Sequence, residues 1–333
     1  MKHYPANTLP KNLLLEKVQA ESFKRIPVSF YRYVLIDQPT ELRNTLFEEW
    51  SELEVLGRVA ISQEGINAQL SVPQPNMAAF RASVDSHPEF NDVPFKFGIH
   101  NEGIPFWKLV IRARNYILAD GLKPQEYDVT NVGTHLTAKE FNDAIDSGAI
   151  VVDMRNIYES DIGRFEGAVC PEATTFKEEL PMVLDLLKEK KAEKILLYCT
   201  GGIRCEKASA YLKHHGFQDV NQLHGGIIDY KHQIDAEGLP SKYKGVNFVF
   251  DGRDPEVITD DVIGACYQCK APAVRTMNCS NKLCHVLFIQ CDTCHTTFDG
   301  ACSTECQTFS QIPEPHQTFI RRGKKEQGRI VLR

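Results

Sequence analysis

Cys199-Thr200-Gly201-Gly202-Ile203-Arg204 is the stretch that decides how the middle of this chain folds. It follows a short apolar run, Lys194–Tyr198, and it precedes residues 206–212, which have the pattern of a helix. The chain is therefore predicted to turn tightly there, between a buried strand and a helix. Glycines in such a turn let backbone N–H groups converge on an anion at the helix N-terminus, and the same field lowers the pKa of a thiol. We expect Cys199 to be a thiolate nucleophile.

The number of residues between Cys199 and Arg204 helps to distinguish two classes of cysteine enzyme. Four residues separate Cys199 from Arg204, one fewer than in the loop with which cysteine phosphatases wrap a phosphate. The shorter loop resembles the active site of rhodanese-family sulfurtransferases, in which the cysteine carries a persulfide. Cys199 is thus the candidate catalytic residue, and the anion-binding loop is formed by Thr200, Gly201, Gly202, Ile203 and Arg204. The plainer alternative is a structural cysteine before a turn.

Further side chains are predicted to support the loop. Asp153 and Arg155 close the preceding apolar strand and are expected to orient the loop rather than to react. Cys205 begins the following helix, where it either resolves an oxidised or persulfidated Cys199 or simply packs. The guanidinium fork of Arg204 is suited to a substrate anion. The alternative is a salt bridge to Glu206 or Asp153.

The composition is that of an ordinary globular protein, with 42% hydrophobic and 25% charged residues. A net charge of −6 does not indicate nucleic-acid binding, but it does not exclude a local basic surface. No apolar run resembles a signal peptide or a membrane span. Eleven cysteines without an export signal favour metal or thiol chemistry over disulfides. We therefore expect a cytoplasmic protein with no membrane partner.

The 333 residues suffice for two or three domains. Residues 27–120 alternate strand and helix signals in βαββαβ order with one extra strand, and Thr40 is predicted to cap the first of these helices. Residues 137–236 alternate strands and helices as in a parallel sheet, whose sites lie at the carboxyl ends of strands. The predicted fold is α/β: a ferredoxin-like (acylphosphatase-like) domain at 1–125, a rhodanese-like domain at 126–245 and a Cys-rich module at 246–333. Residues 237–245 are predicted to be a linker.

Eight of the eleven cysteines crowd into residues 266–306 as four close pairs. They are Cys266, Cys269, Cys279, Cys284, Cys291, Cys294, Cys302 and Cys306. Four pairs suffice for two tetrahedral zinc sites, and metal would supply folding energy to a segment with few large apolar residues. Sequential and cross-braced pairings both remain open, and His285 or His295 could replace a cysteine. Unmetallated thiols, disulfides and a redox or iron–sulfur role are the alternatives.

Two regions could bind RNA. The first domain has no candidate nucleophile, and it interleaves basic and aromatic residues at Phe106, Trp107, Lys108, Arg112, Arg114 and Tyr116. An amphipathic strand with a solvated basic face would give the same pattern. After Cys306 the chain becomes basic and is predicted to be a mobile arm that holds phosphates or merely aids solubility. Its basic residues are Arg321, Arg322, Lys324, Lys325, Arg329 and Arg333.

Three motifs in this order extend a resemblance over the whole chain. They are Gly57-Arg58 with Glu64-Gly65-Ile66-Asn67, then Val152-Asp153-Met154-Arg155-Asn156 with Cys199 to Lys207, and then the cysteine pairs. The chain resembles the bacterial rhodanese-domain tRNA uridine(34) hydroxylases, which place a hydroxyl on C5 of the wobble uridine. The resemblance implies a cytoplasmic oxidoreductase acting on the anticodon arm of tRNA, with oxygen as co-substrate and Cys199, as thiolate or persulfide, as its essential thiol. It leaves the oxygen-activating cofactor unidentified.

Two other functions use the same residues. A sulfurtransferase would pass sulfane sulfur from a persulfide on Cys199 to an acceptor. A non-catalytic RNA or protein adaptor would carry an inert rhodanese fold between two binding modules. The intact loop weighs against the adaptor, and the flanking domains weigh against a sulfurtransferase for a small acceptor. RNA modification is the favoured function, mainly because of the family resemblance; composition alone leaves it close to the sulfurtransferase.

Overall fold

The computed structural model describes residues 6–100, 103–122, 127–322 and 331–333. The first part of the chain is a five-stranded sheet with two helices on its apolar face. The elements are α1 (Lys11–Gln19), β1 (Arg25–Tyr33), α2 (Pro39–Glu52), β2 (Leu56–Ser62), β3 (Gly65–Pro73), a 3₁₀ turn (Gln74–Asn76), α3 (Met77–Ser86), β4 (Lys96–Phe97) and β5 (Leu109–Ala113). The strand order is β4-β1-β3-β2-β5, with β5 added in parallel beside β2. This is the predicted ferredoxin-like arrangement with one extra strand.

The core of this sheet is aromatic, and the largest fully buried side chains include Phe30, Trp50 and Phe80. The predicted cap at Thr40 is wrong. The helix α2 begins at Pro39, and Gln38 precedes it without a capping hydrogen bond from its side chain. Proline is well suited to the first helical position because its φ is already helical and its missing N–H would have had no partner there.

The second part is a four-stranded parallel sheet with helices on both faces. Its elements are β6 (Thr134–Leu136), α4 (Ala138–Asp146), β7 (Ile150–Asp153), α5 (Ile157–Ser160), β8 (Gly163–Phe165), α6 (Phe176–Leu186), β9 (Lys194–Tyr198), α7 (Ile203–His214), β10 (Asp219–Leu223) and α8 (Gly226–Glu237). The order β6-β10-β9-β7 places β9 inside the sheet, so the following loop emerges from its carboxyl edge. The predicted parallel-sheet architecture is confirmed.

The side chains of β9 alternate between the two faces of the parallel sheet, and this alternation decides on which face the Cys199 thiol lies. Ile195 and Leu197 pack with α6 and α7, whereas Leu196 and Tyr198 pack with α4 and α8. Strand side chains alternate between faces. The next residue, Cys199, therefore falls on the α6–α7 face, and it belongs to that buried cluster.

The segment predicted as a linker contains a strand instead. The strand β11 (Tyr243–Asn247) lies between β8 and β12 (Glu256–Val257) in a three-stranded antiparallel sheet. Tyr243 is fully buried against Phe165, which supplies the apolar contact that holds the strand in place. Beyond it, residues 248–253 are carried back toward the loop at Cys199.

The last part is small and contains a second three-stranded sheet. Its elements are β13 (Thr276–Asn278), β14 (Leu287–Ile289), α9 (Asp292–Phe298), α10 (Thr304–Ser310), α11 (Glu314–Arg321) and β15 (Val331–Leu332). The prediction of a mobile arm after Cys306 is wrong for its described residues, because β15 pairs with β14 and Arg333 binds Asp161 at 2.7 Å. The basic residues Lys324, Lys325 and Arg329 lie outside the described residues. No helix of the described ranges is both long enough and apolar enough to cross a membrane.

Candidate active site

The loop at Cys199 closes around its own sulfur. The backbone N–H of Gly202 donates to Sγ of Cys199 at 3.1 Å. Gly202 lies just before α7 with φ of 98°, a conformation that side chains disfavour, and a Cβ there would lie 2.7 Å from the hydroxyl of Tyr31. The carbonyls of Cys199 and Thr200 accept from the first N–H groups of α8. The predicted turn thus directs backbone N–H groups at the thiol.

The surroundings of Cys199 keep it ionised. Complete burial alone would raise the pKa of the thiol. Hydrogen bonds from the side chain and backbone of Cys205, a backbone hydrogen bond from Arg204 and the positive charge of Arg204 outweigh burial and lower the pKa to about 5. At neutral pH Cys199 is therefore a thiolate, the nucleophilic form. Burial and the neighbouring Cys199 raise the pKa of Cys205, so the second thiol stays protonated.

We expect alkylation of Cys199 by iodoacetamide to follow this pKa. Below about pH 5 the thiol is protonated and unreactive, so the rate should rise with a midpoint near pH 5 rather than near the ordinary 9.0. The change Cys205→Ala removes one hydrogen bond to the thiolate and should move the midpoint upward. Mass spectrometry of the Cys199 peptide measures the rate. Cys170, whose pKa burial raises to about 11, is the internal control in the same digest. A midpoint near 9 for Cys199 would contradict the assignment.

The guanidinium of Arg204 is held by a carboxylate that the sequence did not single out. Its Nη1 and Nη2 donate to the two carboxylate oxygens of Glu159 at 2.7 and 2.9 Å, and both side chains are almost fully buried. The sequence offered Glu206 or Asp153 as partners, and both are wrong because each is engaged elsewhere. Arg204 therefore supplies charge to the thiolate from a fixed position.

The other predicted supports lie beneath the loop. Arg155 donates to both oxygens of Asp153 at 2.8 and 2.7 Å, and both side chains are fully buried. The hydroxyl of Tyr198 donates to the same carboxylate at 2.6 Å. Because Tyr198 directly precedes Cys199, this cluster fixes the end of β9. Asp153 and Arg155 do not line the cleft next to Cys199, which agrees with an orienting role.

The first domain forms one wall of the site. The hydroxyl of Tyr31 donates to Glu206 at 2.9 Å. Lys207, which is 1% exposed, pairs with Glu64 at 3.0 Å and with Asp120 at 2.9 Å. Two motifs that are far apart in sequence, one around Glu64 and one around Cys199, thus meet at a single buried junction.

Replacing Lys207 with methionine is expected to weaken this junction. The change leaves Asp120 buried without its cation, and uncompensated buried charges cost about 3–5 kcal/mol. Thermal or urea unfolding of the full chain measures the loss of stability. The matched control is Lys190→Met, because Lys190 is exposed on the same domain. Equal stability of the two variants would show that Lys207 does not hold the domains together.

A cleft of about 650 Å³ opens between the three parts of the chain, with Cys199 and its loop at one side. This volume lies within the range of small-molecule sites, about 300–1,000 Å³. Aromatic side chains from all three parts line it: Phe30, Tyr31 and Phe106, then Tyr158 and Phe176, and then Phe250. Cationic side chains also line it: Arg58, Lys96, Arg204 and Arg253.

Sequence reasoning missed several of these residues. Lys96 and Tyr31 lie on strands of a domain without a candidate nucleophile, and Phe250 lies past the supposed linker. Glu159 carried only a local signal, since it completes a capping box with Asn156 at the start of α5. No pattern in the sequence connects these positions with Cys199, because only tertiary folding brings them together.

The basic and aromatic residues predicted to bind RNA do not form one face. Phe106 is buried and lines the cleft, whereas the ring of Trp107 is covered by Lys11 at 4.6 Å. Arg112 and Arg114 are exposed along the end of β5. Lys108 and Tyr116 are half-buried, so Arg112 and Arg114 are the most exposed basic residues of the predicted set.

The eight cysteines of the last part form two clusters of four. The first is Cys266, Cys269, Cys291 and Cys294, and the second is Cys279, Cys284, Cys302 and Cys306. The sulfur atoms within each cluster lie within 4.8 Å of one another, and three of the S···S distances are 3.6 to 3.7 Å. A zinc tetrahedron with Zn–S bonds of about 2.3 Å has edges of about 3.8 Å, so the donor sets fit this ion.

The two clusters show which cysteine pairs share a site, which the spacing in the sequence had left open. The first and third pairs share one cluster and the second and fourth share the other, which is the cross-braced arrangement. Neither His285 nor His295 belongs to a cluster. The ring of His295 contacts the amide oxygen of Gln290 at 3.2 Å instead. All eleven cysteines are free of disulfides.

Three family descriptions match successive parts of the chain. The UPF0176 acylphosphatase like domain matches residues 25–117, the rhodanese-like domain matches residues 137–233, and the rhodanase C-terminal family matches residues 244–307. They cover the ferredoxin-like sheet, the parallel sheet with its cysteine loop, and the Cys-rich part in turn. The predicted sequence of folds is confirmed.

The similarity to individual proteins extends over nearly the whole chain. A protein of Leptospira interrogans named tRNA uridine(34) hydroxylase is 52% identical over 97% of this chain and 89% of its own length. Proteins with the same name from Pectobacterium carotovorum and Salmonella newport are 44% and 42% identical, each over 97% of this chain and over 92% and 93% of their own lengths.

Proposed function

This chain belongs to the tRNA uridine(34) hydroxylase family, and from that premise we propose that it hydroxylates C5 of the wobble uridine in tRNA. Cys199 is the essential thiol of the reaction, acting as a thiolate or as a persulfide. Molecular oxygen is the proposed source of the hydroxyl group. The residues of the cleft supply the nucleophile, a fixed positive charge and a place for the base.

The observation that carries this proposal is the cleft at Cys199. Its walls come from three parts of the chain, and a small sulfur acceptor would need none of them. Enzymes that act on a base take it out of the stack and hold it against apolar and aromatic side chains. A cleft of about 650 Å³ with an ionised thiol at its side and several rings in its walls suits an extruded nucleoside.

We propose that tRNA binds through its anticodon arm, because that arm carries the wobble base. Arg58 is exposed at the cleft, where its guanidinium lies over Phe106, and it donates to the carbonyl of Phe250 at 3.4 Å. Arg112 and Arg114 extend the positive surface of the same domain. Phosphates of the arm would lie along these arginines. On this proposal residues 1–125 bind RNA, residues 126–245 hold the reactive thiol, and residues 246–333 close the cleft. Catalysis in the cytoplasm is part of the same proposal.

The cysteine clusters are proposed to hold two structural zinc ions. Each cluster has four thiol ligands, which fill a tetrahedral coordination sphere and leave no open position for substrate. Neither cluster contributes a residue to the cleft. Zinc would stabilise the fold of the Cys-rich part. Residues 248–253, which precede this part, form the third wall of the cleft.

Mass spectrometry of bulk tRNA nucleosides tests the function. A strain without the gene is expected to lack 5-hydroxyuridine and its derivatives, and the wild-type gene is expected to restore them. Thiosulfate:cyanide activity of the purified protein should be weak, because the cleft is built for a larger substrate. If 5-hydroxyuridine is unchanged and thiolated nucleosides shift instead, the chain is a sulfurtransferase and the proposal fails.

A further inference from the structure

Lys96 of the first domain lies at the reactive loop. It comes from the short edge strand β4, and the residue is 6% exposed. A Cβ placed on Gly201 would lie 3.7 Å from Cδ of Lys96. The ammonium lies 4.7 Å from the centre of the Tyr31 ring, and both residues line the cleft together with Cys199. A buried cation thus faces the space in which a base bound against Cys199 would lie.

This cation differs from the others in the cleft. Arg204 is held by Glu159, and Arg253 is held by two carboxylates of its own segment. Arg58 is exposed to solvent. Within the described ranges the Lys96 ammonium makes no hydrogen bond and no ion pair, although the residue as a whole is only 6% exposed. Polar groups with little access to water are almost always hydrogen-bonded, so an ammonium at the cleft wall that lacks a protein acceptor is placed to bind an acceptor in the cleft.

The charges around Lys96 balance it only from a distance. Burial lowers the pKa of Lys96, while Asp229, Cys199 and Glu206 counteract this effect. Glu206 is occupied by Tyr31, His135 and Gln222. The donors of Lys96 are therefore left for a ligand.

The structure of the uracil ring determines which of its oxygens can accept a hydrogen bond from Lys96. On the uracil ring C5 is bonded to C4, whose oxygen O4 is an acceptor, whereas O2 lies across the ring. A base that turns C5 toward Cys199 therefore brings O4, and not O2, to the side chains next to the loop. Cytosine carries an amino donor on C4 in place of that oxygen. Lysine has three donors and no acceptor, so it can bond O4 of uracil and can only repel the amino group of cytosine.

We infer that Lys96 donates to O4 of the wobble uracil and makes the site selective for uridine over cytidine. The inference rests on the proposed function for the identity of the base. It gives the first domain a direct contact with the reacting ring, beyond contacts with the RNA backbone. Tyr31, beneath the ammonium, holds Lys96 in place through the cation–π contact.

Binding of two anticodon stem-loop RNAs to the full-length protein tests this contact. The RNAs are identical except for uridine or cytidine at the wobble position, and Kd is measured by fluorescence anisotropy at fixed salt. Wild type is expected to prefer uridine by roughly 10- to 100-fold, the range for a charged hydrogen bond lost to a mismatched donor. Lys96→Met should abolish the preference, and Lys96→Arg should retain most of it. Lys24→Met is the matched control, because Lys24 is an exposed lysine of the same domain.

Each other outcome overturns the inference. Wild type without a preference, or Lys96→Met with the wild-type preference, excludes a contact with O4. An equal loss of affinity for both RNAs would mean that Lys96 binds a phosphate. If Lys96→Met does not give a cooperative melting transition, Lys96→Gln decides the question, because its amide can both donate and accept and should bind both RNAs alike.

Failure of the proposed function is a separate result. It would appear as unchanged 5-hydroxyuridine in the deletion strain, whatever the two RNAs show. A uridine preference that Lys96→Met abolishes would then still assign the contact, to a site of another activity.

Discussion

A strain whose only copy of the gene carries Cys199→Ser is expected to contain no detectable 5-hydroxyuridine in its tRNA. Serine differs from cysteine by one atom, but its hydroxyl does not ionise near neutral pH. The N–H groups and the charge of Arg204, which hold the pKa of Cys199 at about 5, would then surround a neutral group. Losses on removing a nucleophile commonly exceed about 10³-fold in rate, so residual product should fall below detection.

The matched control is Cys170→Ser. Cys170 is half-buried, its pKa is raised to about 11 by burial, and it lies outside the cleft. This variant should restore the modified nucleosides to the wild-type level. If Cys199→Ser also restores them, the loop is not the reactive centre, and its low pKa serves some other purpose. Western blotting of both variants shows whether they accumulate equally.

The protein purified without chelators is expected to contain two zinc ions per chain. Each cluster presents four thiols at the spacing of a zinc tetrahedron, and structural zinc contributes about 10–16 kcal/mol to folding in small modules. Cys266→Ser and Cys279→Ser change different clusters, so each variant should lose one ion. Elemental analysis by mass spectrometry measures the metal content.

A strong chelator should loosen only the last part of the chain. Limited proteolysis is expected to cut within residues 266–306 after chelation, and added zinc should restore resistance. Cys170→Ser is again the control and should keep both ions. Two ions retained by Cys266→Ser, or iron in place of zinc, would show that the clusters are not the sites proposed.

Local patterns predicted the elements around the loop well. The apolar strand before Arg155 and the helix after the loop occur where the sequence placed them. In each case the signal lies within a few residues, as an apolar run or as a helical pattern. Thr40 failed because a proline one residue earlier already began the helix.

Longer-range features could not be predicted in the same way. The last three residues of the supposed linker joined β11 because Tyr243 could be buried against Phe165, a contact that spans most of the second domain. The end of the basic tail is held in place because Arg333 forms salt bridges with Asp161 and Glu172. Neither pairing leaves a trace in local composition.

The sequence by itself determined the loop at Cys199, because a cysteine, two glycines and an arginine between a strand and a helix bring backbone N–H groups and a positive charge to one thiol. It also determined which cysteines could bind metal, since ligand pairs must be close in the chain. Only the tertiary structure decided that Arg204 pairs with Glu159, how the cysteine pairs combine, and that Lys96 and Phe250 line the same cleft as Cys199. The physical reason is that backbone hydrogen bonds and turns depend on neighbours in sequence, whereas burial and charge pairing depend on surfaces that meet only after the domains fold.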